Sequence, residues 1–216
     1  MLLLRPPGVY RVDRDSTLLA RVLREDGRAR GRDVLDVGTG TGVLALTASR
    51  AGARSVTAVD LSLRSAVATW LNCRIHRAPV TVRRGDLFEP VRGRRFDLVV
   101  ANPPYVPSRG GPARHRAGRC WDGGPDGRLL LDRVCAGLPD VLSAQGSALM
   151  VHSGVCDEGR TLARLAEVGL VGRVVARAVV PFGPVMRSRS QLLEVRGLIS
   201  SGQCAEEIVV VEVGRG

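Results

Sequence analysis

The stretch Asp33-Val34-Leu35-Asp36-Val37-Gly38-Thr39-Gly40-Thr41-Gly42 leaves a chain few ways to fold. Val34, Leu35 and Val37 make a short apolar run suited to a buried parallel strand, and three alternating glycines then demand a tight turn into a helix over roughly 43–50. Without a Cβ at those positions the backbone can pass close to a ligand, and the helix aims its free N–H groups over the loop. Strand-like and helix-like segments alternate from there: strands at 33–37, 55–59, 80–83 and 96–101, with helices reaching Arg50 and spanning 63–76. That order predicts an α/β fold, a doubly wound and mostly parallel sheet with helices on both faces and ligands at the strands' carboxyl ends. Further on, the pattern predicts a helix from Leu129 to about Leu142 capped by Asp126, a strand at 147–152 and a helix at 157–168. Strands around 174–180 and 208–213 complete seven, and 186–196 reads as an extra helix or a hairpin.

Two acids narrow the ligand. Asp60, at the end of the second strand and about 20 residues past the glycines, is placed to accept hydrogen bonds from ribose hydroxyls. Asp36 sits beside the loop itself, where a carboxylate repels a pyrophosphate but suits a ligand carrying an ammonium group. S-adenosylmethionine therefore fits better than NAD.

The second chemical signal is Asn102-Pro103-Pro104-Tyr105 directly after the fourth strand. Two prolines fix the backbone and remove N–H donors while leaving carbonyls free to accept. An amide or exocyclic amine has a delocalised nitrogen lone pair. Holding its two hydrogens on acceptors, the Asn102 side-chain oxygen and a proline carbonyl, makes it a nucleophile, while Tyr105 stacks on its plane. A rigid turn at a strand end explains the prolines but not the Asn and Tyr together.

Composition excludes more than it assigns. All 32 basic residues are arginine, and the formal charge of +11 reads first as a coding bias rather than as a nucleic-acid surface. Five cysteines, widely spaced and without a C-x-x-C pair, argue against a disulfide framework or a zinc site. The opening Met1-Leu2-Leu3-Leu4 is cut short by Arg5-Pro6-Pro7, and no run approaches the ~20 residues of a membrane span, so a cytoplasmic protein without membrane attachment is expected. A helix is predicted over 15–25 with Asp15 or Ser16 as N-cap, and the glycine-, proline- and arginine-rich stretch 106–125 reads as a functional loop.

With these motifs in view the chain resembles the class I S-adenosylmethionine-dependent methyltransferases, and specifically the HemK-type enzymes that methylate glutamine in translation release factors. The resemblance covers roughly 10–180. It rests on Tyr10 with Asp15-Ser16, on the 36–42 loop, on Asp60, on Gly85-Asp86-Leu87-Phe88, on Asn102–Tyr105, and on Gly123–Gly127 with Asp132-Arg133. Trp121 and the lack of an N-terminal helical domain point to the short branch of eukaryotes and archaea. The resemblance implies a seven-stranded sheet with an antiparallel last strand, formed by one domain over 1–216. Within it, 1–30 is expected to cover the cofactor, while two stretches depart from the family pattern: 106–125, read from its own residues as the loop that meets the substrate, and 181–205, read as an insertion. It also implies that Ser16, Asp36, Gly38, Gly40, Asp60, Asp86, Leu87 and Asn102 hold S-adenosylmethionine, and that Asn102, Pro103 and Tyr105 act on a protein glutamine. Members of that branch often need a small activator protein. An adenine or cytosine amino-methyltransferase on DNA or RNA would use the same acceptors on a flipped base. A small-molecule methyltransferase and a cofactor-binding protein without catalysis are the remaining readings.

Overall fold

The computed structural model describes residues 1–108 and 121–216. Four strands form the parallel half of one sheet: β1 (Asp33–Val37), β2 (Ser55–Asp60), β3 (Val80–Arg84) and β4 (Phe96–Ala101). Helices α1 (Arg14–Arg24), α2 (Val43–Arg50) and α3 (Leu63–Ile75) precede or connect them. After the described part of the 106–125 stretch come α4 (Leu129–Val141), β5 (Leu142–Ser153), α5 (Glu158–Glu167), β6 (Leu170–Pro181), α6 (Pro184–Val195) and β7 (Ala205–Arg215). The sheet runs β3-β2-β1-β4-β5-β7-β6. β7 lies antiparallel between β5 and β6, and the other pairings are parallel.

Alternation along the strands builds two apolar layers, because successive side chains point to opposite faces. Val34, Leu98, Leu149 and Val210 join α1 and α2 in one cluster. Leu35, Val99, Met150 and Val211 join α4 and α5 residues in the other. Since β1 leads outward to β2 and β3 while β4 leads the opposite way to β5, the sheet reverses direction between β1 and β4. That reversal opens a crevice outside the strands' carboxyl ends.

Several local expectations are refined. The α1 cap is Asp13, whose side chain accepts the Arg14 N–H, and Asp15 and Ser16 instead lie inside the helix's first turn with their side chains buried. The residue at the N-cap of α4 is Arg128, without a side-chain cap; Asp126 sits two residues earlier and accepts the Arg128 N–H at 3.2 Å. The stretch left between helix and hairpin is the helix α6, and β5, β6 and β7 each extend beyond their apolar centres. Among the described residues no helix is long and apolar enough to cross a membrane.

Candidate active site

A cavity of about 630 Å³ occupies the crevice, within the range that holds a nucleoside-sized ligand. Its floor is the glycine loop, whose N–H groups are mostly taken. Those of Gly38 and Thr39 donate to the Val59 carbonyl (2.9 and 3.1 Å), that of Gly42 to the Thr39 carbonyl (2.8 Å), and that of Gly40 to the Asp60 carboxylate (2.9 Å). A pyrophosphate needs such donors free, so this loop is shaped for a different ligand. From α3, the Thr69 hydroxyl donates to the Gly40 carbonyl and the Asn72 amide to that of Thr41, pinning the loop from outside. Gly42 has φ +82°, and a Cβ there would lie 2.9 Å from the Thr69 methyl, so only glycine lets α3 come this close.

The two acids differ in position. Asp60 faces the cavity; its second oxygen accepts the Ser62 N–H at 2.8 Å, and burial pushes its pKa up. Asp36 is fully buried and stands behind the cavity wall. One oxygen accepts from the Thr39 hydroxyl (2.6 Å) and the Ala45 N–H (3.0 Å), tying the loop to the first turn of α2. The other, Oδ1, has no hydrogen-bond partner among the described residues. Burial above all pushes the Asp36 carboxyl up to about 7, the two hydrogen bonds pull it back, and nearby Asp60 adds to the rise.

On the opposite wall the end of β4 meets α1. The Asn102 side-chain amide donates through Nδ2 to the Ser16 hydroxyl at 3.0 Å, leaving Oδ1 as the atom available to accept from a ligand. Beside it the Asp15 carboxylate, 3% exposed, takes three donors: the Tyr105 hydroxyl (2.7 Å) and the Tyr10 hydroxyl (2.9 Å) on Oδ2, and the Ser16 N–H (2.5 Å) on Oδ1. Burial and this carboxylate raise both tyrosines' pKa values, so both hydroxyls remain donors. Tyr105 thus offers more than the stacking ring that its motif suggests. Asp15, read from sequence as a helix cap, is the hub that binds the N-terminal segment to β4. An acid in a helix's first turn ordinarily signals capping, and only the arrival of two tyrosines from elsewhere shows the other use.

The third wall carries Asp86 and Leu87, the latter at φ +45°, a backbone conformation unusual for a branched side chain. Arg133 of α4 pairs with Asp86 at 2.7 Å, which explains why the Asp132-Arg133 pair accompanies the site. Arg128, 2% exposed, was not singled out in the sequence. It donates to the carbonyls of Cys156 and Asp157, to the Thr161 hydroxyl and to Asp132, fastening the 123–127 turn to α5. Within that turn Gly127 (φ +82°) lies so close to the Tyr105 carbonyl that a Cβ would sit 2.3 Å from its oxygen.

Ser16, Gly38, Gly40, Asp60, Asp86, Leu87, Asn102, Pro103 and Tyr105 all line this one cavity, and Asp36 supports it from behind. Tyr10, Trp121 and Arg133 join them. Of the loop expected to meet substrate, residues 109–120, with Arg109, Arg114, His115, Arg116 and Arg119, lie outside the described residues.

Residues 2–113 match the family described as the methyltransferase small domain. A chain of Methanocaldococcus jannaschii provisionally named a protein N5-glutamine methyltransferase is 32% identical over 181 residues, covering 83% of this chain and 90% of that one. The release factor glutamine methyltransferase of Xylella fastidiosa is 31% identical over 201 residues, 87% of this chain, which spans 66% of that relative's length. Among solved structures, the E. cuniculi Mtq2–Trm112 complex, described as responsible for methylating the eRF1 translation termination factor, shares the fold. Its TM-score is 0.66 at 22% identity, over 97% of this chain and 99% of that one.

Proposed function

The chain belongs to the HemK-type family of S-adenosylmethionine-dependent methyltransferases, and on that premise we propose that it methylates the side-chain amide nitrogen of a glutamine in a protein, the exposed Gly-Gly-Gln-like loop of a translation release factor. The observation that carries this reading is the Asn102 amide, held through Ser16 at the end of β4 with a pair of prolines after it. Asn102 Oδ1 and the Pro103 carbonyl would accept the two hydrogens of the incoming amide, orient its plane and polarise its nitrogen. No donor comes from Pro103 or Pro104 to compete. Tyr105, fixed by Asp15, would set the distance of that plane from the wall.

When bound, S-adenosylmethionine supplies an electrophilic methyl group on a sulfonium. The residues fit such a ligand. Asp60 would take the ribose hydroxyls, Asp86 and Leu87 the adenine, and Ser16, Gly38, Gly40 and Asn102 the remaining length of the cavity. Asp36 would act by charge: its unpartnered buried oxygen is costly to ionise alone, and a cationic ligand over the loop favours the ionised form. Glutamine needs no flipping step, and a release factor as acceptor would place the reaction in the cytoplasm. A small activator protein belongs to the same proposal, so transfer is to be measured with and without one.

The deciding experiment incubates the protein and labelled S-adenosylmethionine with an intact release factor, a glutamine peptide of its loop, and oligonucleotides. Label should enter the factor, resist nuclease, yield to protease and vanish with Asn102→Ala. Label confined to an oligonucleotide, or to another protein such as a ribosomal one, overturns the acceptor.

A further inference from the structure

Resting on the reading that the acceptor enters beside Asn102–Tyr105, we propose that α6 is a positioning element for that side of the cavity. Arg189 and Arg196 would be the residues through which it holds the wall at Tyr105, Val106 and Trp121. The chain leaving β4 is rich in prolines, and among the described residues no strand takes up its carbonyls. Its outgoing part, 106–108, and its return, 121–124, bind each other. The Val106 N–H donates to the Trp121 carbonyl (2.8 Å), that of Gly123 to Val106 (2.9 Å), and that of Ser108 to Gly124 (2.7 Å). These bonds fix the two segments relative to one another but not to the sheet.

On the return side the Leu129 N–H donates to the Gly123 carbonyl and Arg128 ties the turn to α5, and two guanidinium groups from the β6–β7 connection add a link that reaches the outgoing segment as well. Arg189 Nη1 donates to the Pro107 carbonyl at 2.7 Å and reaches that of Val106 at 3.4 Å. Arg196 Nη1 donates to Ser108 at 2.6 Å on the outgoing side and to Pro125 at 2.7 Å on the return, so one side chain spans both segments. The helix that carries Arg189 and is followed by Arg196 as its C-cap is itself anchored. Met186 and Leu193, 3% and 0% exposed, enter the apolar cluster that also contains Tyr105, Val106 and Phe182. A guanidinium carries its donors in a fixed planar fork with permanent charge, so it can hold two carbonyls at once where an ammonium on a flexible stem cannot fix both. None of these contacts involves the glycine loop or Asp60, so the brace acts on the acceptor side and leaves the cofactor side alone.

The test compares the parent with Arg189→Gln, Arg196→Gln, the double variant and Arg196→Lys. Backbone hydrogen exchange in 103–108 and 121–125 should quicken at least about tenfold in the double variant, with β1 and β2 unchanged. The dissociation constant for S-adenosylmethionine should stay within about twofold, while KM for the protein acceptor rises about tenfold or more. Arg196→Lys should resemble Arg196→Gln. Unchanged exchange in these segments, a cofactor affinity that weakens in step with transfer, or full recovery by lysine overturns the brace. If the parent labels no glutamine acceptor, the acceptor reading falls, while exchange and cofactor binding still decide the role of α6.

Discussion

At the scale of single residues the wall at Asn102, proposed to meet the acceptor, depends on a short relay of hydrogen bonds from Tyr10 and Tyr105 through Asp15 and Ser16 to Asn102. Asn102→Ala should lower kcat by about 10²–10³ or more in a chain that melts within a few degrees of the parent. Tyr105→Phe leaves Asp15 with the Tyr10 hydroxyl on Oδ2, so its loss should stay below about tenfold. Rate measurements on both folded variants check this, and an Asn102→Ala enzyme at the parental rate removes the role assigned to the amide. On the cofactor side Asp60→Ala should weaken S-adenosylmethionine binding by about 1.5–3 kcal/mol, read by calorimetry. An unaltered affinity refutes the ribose contact. Asn102, Asp60 and the glycines were legible in the sequence because their spacing from strand ends is itself the signal. Arg128 was not, because its partners, the carbonyls of Cys156 and Asp157, are brought to it only by the tertiary fold.

Among the elements, the parallel half reads cleanly because apolar runs punctuated by glycine and proline mark its strands, and β1 occupies the expected 33–37. The later strands run to 142–153, 170–181 and 205–215, past the apolar centres at 147–152, 174–180 and 208–213. Their outer residues, such as Arg173 and Glu207, are polar, yet the backbone ladder continues whatever the side chain. Apolar pattern reports burial rather than pairing. α6 was ambiguous for a related reason: only Met186 and Leu193, seven residues apart, are buried in it. The turn before α4 yields a sharper expectation. Gly127→Ala would force a Cβ against the Tyr105 carbonyl at a positive φ, displacing the wall that carries Asn102 and Tyr105. Transfer should fall about tenfold or more, with a loss of stability of about 1–3 kcal/mol in denaturant melts. Parental activity and stability together contradict the close packing described.

For the whole molecule, charge distribution sets the dependence of stability on pH. Glu206 on β7 is 7% exposed, and its Oε2 has no hydrogen-bond partner among the described residues. Burial first, with Asp15 and Asp13 adding to it, pushes its pKa up to about 7 against an ordinary 4.5, partly offset by the Ser153 hydroxyl. Because the native state keeps a proton that the unfolded chain has released, this group removes stability as pH rises from about 4.5 to about 7, and the loss persists above that. Glu206→Gln should therefore match the parent near pH 4.5 and exceed it at pH 8 by an amount on the order of 1–3 kcal/mol, measured by urea unfolding at both values. An equal increment at both pH values rules the titration out. The position of β7 has a consequence for biosynthesis. The segment Ala148–Ser153 of β5 is flanked in the native sheet by β7, which follows it by some fifty residues of chain. A nascent polypeptide that has emerged only as far as α6 exposes that hydrophobic edge with its ladder groups unpaired, a template for pairing with other chains. Premature termination inside α6 should thus yield insoluble product and a demand for chaperones, even though every described residue that lines the cavity has already been made.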